Sequence, residues 1–349
     1  MIIPEPTDPS IPSSPPKKRF PVAVVVAVLF AMILVGGAVG LNLYIRWAKQ
    51  PALKTGRPAR ITVPPGSTVD FVGKKLEASR LIRDARVFAM SAKGVSIRPG
   101  TYDIAPTESV ATIISRLEKG DVVTVRVTFP EGFTLRQIAK RLAKNELCEE
   151  ETFYKLVSER GNTLKASFQP PAKLEGYLFP DTYRFPLGEE EADIAQRMLS
   201  SFDSVFAKRH GEDIRRSGRT VAELVNVAAM VEREARTAGD RPLIAGVIYN
   251  RLQRGMRLQI DATVQYARGE HKERLLYRDL EIESPYNTYR VAGLPAGPIC
   301  NPGASALEAA LHPATHDFLF YVARTDGSHV FGKTLADHNR NIATVRQSR

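Results

Sequence analysis

Ile61-Thr-Val-Pro-Pro-Gly-Ser-Thr-Val69 and Val127-Thr-Phe-Pro-Glu-Gly-Phe-Thr-Leu135 align without a gap. Each reads as a short strand that ends in a Pro-x-Gly turn and leads into a helix after a Ser or Thr cap. The helices that follow correspond as well. Val72, Leu76 and Leu81 in the first match Ile138, Leu142 and Leu147 in the second, at close to helical spacing. Pro99-Gly-Thr-Tyr102 then echoes Pro180-Asp-Thr-Tyr183. Between these landmarks the second copy is longer by about 15 residues, consistent with a loop inserted around Gly161 to Ala172. Registering the two Thr-Tyr pairs sets Gly94 opposite Glu175. The expectation is therefore an internal duplication, with one binding copy and one catalytic copy.

Glu175 lies in Lys173-Leu-Glu-Gly-Tyr-Leu-Phe-Pro-Asp-Thr-Tyr183. Leu174, Tyr177, Leu178 and Phe179 are placed to remove water from a nearby carboxyl group, and desolvation penalises its charged form. A Glu so placed keeps its proton near neutral pH and serves as a general acid. Gly176 is expected to leave room for a bulky ligand, and Pro180 with Asp181 to make a turn that fixes the segment. The plainer reading is a capping or ion-paired Glu at an ordinary turn.

The 349 residues allow two or three domains, and 43% hydrophobic with 25% charged residues is ordinary for globular protein. Residues 1–19 are rich in Pro and Ser and end in Lys17-Lys18-Arg19, as a disordered tail does. From Val22 to Leu43 the one clearly polar side chain is Asn42, and no charge occurs before Arg46. That run can cross a hydrocarbon core, which needs about 20 residues, whereas signal-peptide cores span about 7 to 15. A transmembrane helix is expected. Basic residues flank it on both sides, so the positive-inside rule leaves its orientation open.

The net charge of +11 suits attraction of the helix flanks to anionic lipid, or of the whole chain to acidic peptides of a cell wall. Zinc-finger spacing and RNA-binding aromatic signatures are missing, so nucleic acid is not an expected partner. Two cysteines, Cys148 and Cys300, are too few for a disulfide framework. His312 and His316 have i,i+4 spacing, but Pro313 breaks any His-Glu-x-x-His helix, and no metal is expected. No phosphate loop or nucleophile elbow appears.

The C-terminal half reads as mixed α and β. Thr220-Val-Ala-Glu223 is a capping box for a helix reaching about Ala235. On it Glu232 falls on an apolar stripe and Glu234 about 200° away, so the two cannot face one cleft. Glu232 is read either as an ion-pair partner or as a support for the site. Leu243 to Leu252 forms a second helix after Asp240-Arg-Pro242. Gln259, Asp261, Tyr286, Asn287 and Tyr289 fall in turn-like or extended segments, suited to hydrogen-bonding sugar hydroxyls while aromatic faces stack on pyranose rings. Ser305-Ala-Leu-Glu308 reads as the opening of a short helix, and Phe318 to Val322 with His329-Val-Phe331 as a hairpin turning at Asp326-Gly327.

The Glu175 segment resembles the signature of the endolytic murein transglycosylase (YceG-like) family, a Leu-Glu-Gly-aromatic-x-aromatic-Pro-Asp-Thr-Tyr run that carries the catalytic Glu. The resemblance continues through Met230-Val-Glu-Arg-Glu-Ala235, Tyr249-Asn-Arg-Leu252, Gly255-Met-Arg-Leu-Gln-Ile-Asp261, Ser284-Pro-Tyr-Asn-Thr-Tyr289, Gly293-Leu-Pro295 and His312-Pro-Ala314. It implies an α+β protein with a cytoplasmic tail (1–19), a transmembrane helix (20–45), a linker (46–58), a LysM-like strand-turn-helix subdomain (59–125) and a YceG-like catalytic domain (126–349). It further implies a periplasmic enzyme, held by one span in the inner membrane, that cuts nascent peptidoglycan strands between N-acetylmuramic acid and N-acetylglucosamine. Glu175 acts as acid and then base, leaving 1,6-anhydro ends, and needs no cofactor. Penicillin-binding peptidoglycan synthases are the implied partners. A two-carboxylate hydrolase with Glu232 or Asp261 as the second acid, and a wall-binding scaffold, are the competing readings.

Overall fold

The computed structural model describes residues 22–269, 272 and 275–347; the expected tail at 1–19 lies outside them. The first helix, α1 (Val22–Lys49), is long and apolar enough to cross a membrane. It continues into the stretch expected as linker, where its last turns find partners in the residues that lead into α3 (Ala85–Ser91). There Tyr44 donates to Asp84 Oδ2 at 2.5 Å, and Arg83 donates to the Trp47 carbonyl at 2.8 Å.

The chain divides into two units after Asp121. In the first, β1 (Ala59–Val63) pairs antiparallel with β2 (Gly100–Ile104), Ile61 opposite Tyr102. Helix α2 (Val69–Ala78) opens where the Thr68 hydroxyl accepts from the Phe71 N–H, and α4 (Val110–Lys119) where Ser109 does the same for Thr112. Val72, Leu76, Phe88, Tyr102, Ile113 and Leu117 form the core of this unit.

The second unit starts with the same plan. Strand β3 (Thr124–Thr128) pairs antiparallel with β4 (Thr182–Pro186), Val127 opposite Tyr183. That pairing is why the boundary falls before Thr124 and not within the strand. Between them lie α5 (Leu135–Lys144), which has a capping box of Thr134 and Gln137, and α6 (Glu150–Glu159); α7 (Glu191–Phe202) follows. Both units thus run strand, helix, helix, strand, helix. The duplication extends to single hydrogen bonds. Tyr102 donates to the carbonyl of Arg98 and Tyr183 to that of Phe179, each four residues back and each at 2.7 Å.

Beyond α7 a π-helical turn (Asp203–Lys208) leads to α8 (Gly211–Ser217), α9 (Val221–Glu234), α10 (Asp240–Gln253), α11 (Asp261–Arg268) and α12 (Ala304–Leu311). Residues Leu224 to Val231 of α9 are all buried, with α10 and α12 packed against that helix. Hairpin β5 (Phe320–Ala323) and β6 (His329–Gly332), then α13 (Leu335–Gln347), close the described chain.

Three local expectations need correction. Asp261 opens a helix instead of lying in a turn-like or extended segment. Helix α12 starts at Ala304 on Gly303, so Ser305 and Glu308 lie inside it and make no capping box. Strand β5 starts two residues later than expected, because the Phe318 carbonyl accepts from the Asn250 amide.

Candidate active site

Glu175 lies in a β-turn closed by the Tyr177 N–H on the Leu174 carbonyl at 3.0 Å, with Gly176 at the left-handed position, φ +91°. A Cβ on Gly176 would fall 2.6 Å from Val225 Cγ1 and 2.7 Å from Pro298 Cβ. The glycine therefore lets the turn press against α9 and the 295–298 turn; the space beside it is filled by protein and not left for a ligand. Leu174 and Leu178 are fully buried and Tyr177 nearly so.

The carboxylate itself is 3% exposed yet lines a groove of about 470 Å³. Its Oε1 accepts from the Leu135 N–H at 3.0 Å, in the first turn of α5, and from the Asn301 side-chain amide at 3.2 Å. Its Oε2 accepts from the Tyr266 hydroxyl at 2.8 Å. Burial pushes the Glu175 carboxyl up to about 7, against the opposing pull of Tyr266, the Leu135 N–H and the Lys173 charge. Because two N–H groups already fill Oε1, a proton on this acid belongs on Oε2.

Asn301 organises the turn. It is 1% exposed, and its Oδ1 accepts from the N–H groups of Gly176 at 3.0 Å and Leu178 at 2.9 Å. Its amide nitrogen also donates to the Phe133 carbonyl at 2.9 Å, and its backbone bridges Gly132 and Phe133. The Pro-Glu-Gly turn of the second repeat is thereby tied to the segment before α12.

The groove is walled by Thr134, Arg136 and Gln137 at the start of α5, by Tyr154 of α6, and by Ala262, Gln265 and Tyr266 of α11. Lys173, Arg233, Ser284, Tyr286 and Ile299 also line it. The Lys173 ammonium sits 5.1 Å and 5.0 Å from the ring centres of Tyr266 and Tyr286 and donates to the Tyr286 hydroxyl at 3.2 Å. Among the described residues Glu175 is the one carboxylate in the groove lining.

Of the residues expected to support it, Tyr286 reaches the groove lining; Glu232, Asn287 and Tyr289 are engaged with other parts of the protein, and Gln259 and Asp261 are exposed outside that lining. Glu232 accepts from the Gly303 N–H at 3.1 Å and so steadies the start of α12. Asn287 is fully buried and donates to the carbonyls of Leu280 and Ile282 at 2.8 Å each. Tyr289 donates to Asp261 Oδ1 at 2.5 Å. Gln259 adopts φ +51°, and its N–H donates to the Thr288 carbonyl at 3.1 Å. Cys148 and Cys300 are separate free thiols. Sequence reasoning missed Tyr266 and Asn301. The acid at Asp261 and the left-handed stop at Gly269 are helix signals that bracket the first; nothing local marks the second, which is 126 residues from Glu175.

A desolvated carboxylic acid opening onto a groove edged with tyrosines has the make-up of an acid–base site. The YceG-like family profile matches residues 61–344, and the chain belongs to that family. It is 36% identical over 327 residues to the endolytic murein transglycosylase of Bacillus subtilis (strain 168), covering 88% of this chain and 90% of the relative. To the protein of the same name from Streptococcus pneumoniae serotype 2 (strain D39) it is 30% identical over 352 residues, 90% of this chain and 63% of that one. A crystal structure of a YceG-like protein from Listeria monocytogenes superposes with a TM-score of 0.57 at 32% identity, covering 82% of this chain and 99% of that chain.

Proposed function

We propose that this chain is a membrane-anchored lytic transglycosylase that cuts within peptidoglycan glycan strands, between N-acetylmuramic acid and N-acetylglucosamine. The observation that carries the reading is the solitary, protonatable Glu175 at the wall of the groove. Its Oε2 proton passes to the bridging oxygen as the bond to the anomeric carbon breaks. The C6 hydroxyl of the same muramic acid residue then bonds to that carbon and returns its proton to Glu175. No water is consumed and a 1,6-anhydro end results. Glycosidases that use water need a second carboxylate about 5 to 9.5 Å away. The two candidates, Glu232 and Asp261, are engaged with Gly303 and Tyr289.

Helix α1 anchors the chain in the inner membrane with the rest in the periplasm, near the synthases whose nascent strands it would terminate. The first unit, which repeats the plan of the second with Gly94 in place of the acid, serves as a LysM-like glycan holder. Digestion of purified sacculi tests the reading by mass spectrometry. Anhydro-ended products that vanish with Glu175→Gln support it. Products carrying an added water, or undiminished release by Glu175→Gln, refute it.

A further inference from the structure

The helix that starts beside Asn301 ends at a second cluster of polar groups. His312 follows the last residue of α12, its N–H donating to the Glu308 carbonyl at 2.8 Å, and Pro313 stops the helix there. Spacing pairs His312 with His316, yet both ring nitrogens of His316 are already used. Its Nε2 donates to the Leu243 carbonyl at 3.0 Å, and its Nδ1 accepts the Phe318 N–H at 3.1 Å. The fold pairs His312 with His210 instead, their ring centres 6.4 Å apart where α8 packs on α12. The π-helical turn before α8 fixes His210: its N–H donates to the Phe206 carbonyl at 2.9 Å, and its ring lies 5.8 Å from that of Phe206. Such turns occur often at functional sites. Asp213, three residues on, brings its Oδ2 to 3.9 Å from His210 Nδ1. Among the described residues no group hydrogen-bonds to the ring nitrogens of His210 or His312.

We propose that His210, Asp213 and His312 bind one first-row divalent cation of the zinc type, joining the start of α8 to the end of α12. Their ligand atoms all lie within 4.8 Å of one another. Ligands held tetrahedrally at about 2.0–2.2 Å from zinc stand roughly 3.3 Å apart, so closure takes about 1.5 Å. His312 is exposed and the other two are half-buried, so side-chain rotation supplies that movement. Two imidazoles with one carboxylate suit zinc, nickel or copper, whereas magnesium and calcium take oxygen ligands. The last carbonyls of α12 add the negative end of its dipole. Two arginines oppose a cation here. Arg216 lies 3.6 Å from Asp213 Oδ1, and Arg209 shares a hollow of about 90 Å³ with His210 and Glu308. Arg216 is exposed and also reaches Glu212 at 3.3 Å, which frees Asp213 to turn to a metal. Water takes the fourth position. The cluster lies the whole length of α12, roughly 12 Å, from the Gly303 end that meets Glu232, so the cation is a staple and not a catalyst.

The test uses the full chain in detergent, without a histidine tag and stripped by chelator, titrated with zinc chloride alone. One zinc per chain should bind with Kd of about 10 µM or tighter, and a hundredfold excess over Kd should raise Tm by about 5 °C. Magnesium chloride should do neither. Cobalt in place of zinc should show the visible absorption of a four-coordinate ion. His210→Gln, His312→Gln and Asp213→Asn should each weaken zinc binding about tenfold or more while melting, without zinc, as the parent does. Glu175→Gln should bind zinc like the parent, because the site owes nothing to the reading of that acid. A parent that does not bind zinc, an equal response to magnesium, or zinc binding that survives loss of either histidine would overturn the proposal.

Discussion

The phenol of Tyr266 and the carboxylate of Glu175, 91 residues apart in sequence, meet in a hydrogen bond of 2.8 Å from the hydroxyl to Oε2. The bond favours the ionised acid and partly offsets the burial that raises it. Removing it with Tyr266→Phe should move the alkaline limb of kcat/KM upward by about one pH unit, since a hydrogen bond to a charged group contributes about 1.5 kcal/mol or more. Rates on defined glycan strands from pH 5 to 9 would read this, and an unmoved or lowered limb would count against the bond's role.

Stability should carry the mark of the same acid with a definite sign. The Glu175 carboxyl rises from an ordinary 4.5 to about 7 on folding, so between those values the native chain keeps a proton that the unfolded chain has released. Native stability from this group is therefore greatest below pH 4.5 and is lost as pH rises towards 7, by about 3 kcal/mol in all. Glu175→Gln, which cannot ionise, should melt higher than the parent at pH 8 and close to it at pH 5. Parallel melting curves at both pH values would contradict the shift.

Asn301→Ala should be costly out of proportion to the atoms removed. It strands the buried N–H groups of Gly176 and Leu178, at about 1–3 kcal/mol each. A loss of about 3 kcal/mol in chemical denaturation is expected, with activity lost even well below the melting point.

A left-handed glycine in each repeat offers a comparison. Ala at Gly176 meets both a left-handed backbone and the side chains of Val225 and Pro298, and should cost about 3 kcal/mol or more. Ala at Gly94 meets the same sign of φ, +83°, but open space, and should cost about 1–2 kcal/mol. Equal losses would mean that backbone strain alone decides.

Local chemistry explains what the sequence disclosed. Thr68 and Thr134 cap helices after strands of matching register, and the Thr-Tyr pairs lie on the returning strands, so the duplication and the α+β class were legible from turn and cap residues. The apolar run from Leu174 to Phe179 foretold a dry acid. What could not be read was its company. Leu135 contributes a backbone N–H, which no residue type advertises, and Tyr266 and Asn301 arrive through tertiary packing of α11 and the loop before α12. Polar residues such as Asn287 and Tyr289 had the right character for sugars but spend it on neighbouring backbone and on Asp261.

The donors to Glu175 arrive at very different times as the chain is synthesised. Leu135 precedes the acid, Tyr266 follows it by 91 residues and Asn301 by 126. A chain synthesised only as far as the acid has its acidic turn without the clamp that shapes it. A product truncated before Asn301 would carry the acid without the side chain that fixes its turn.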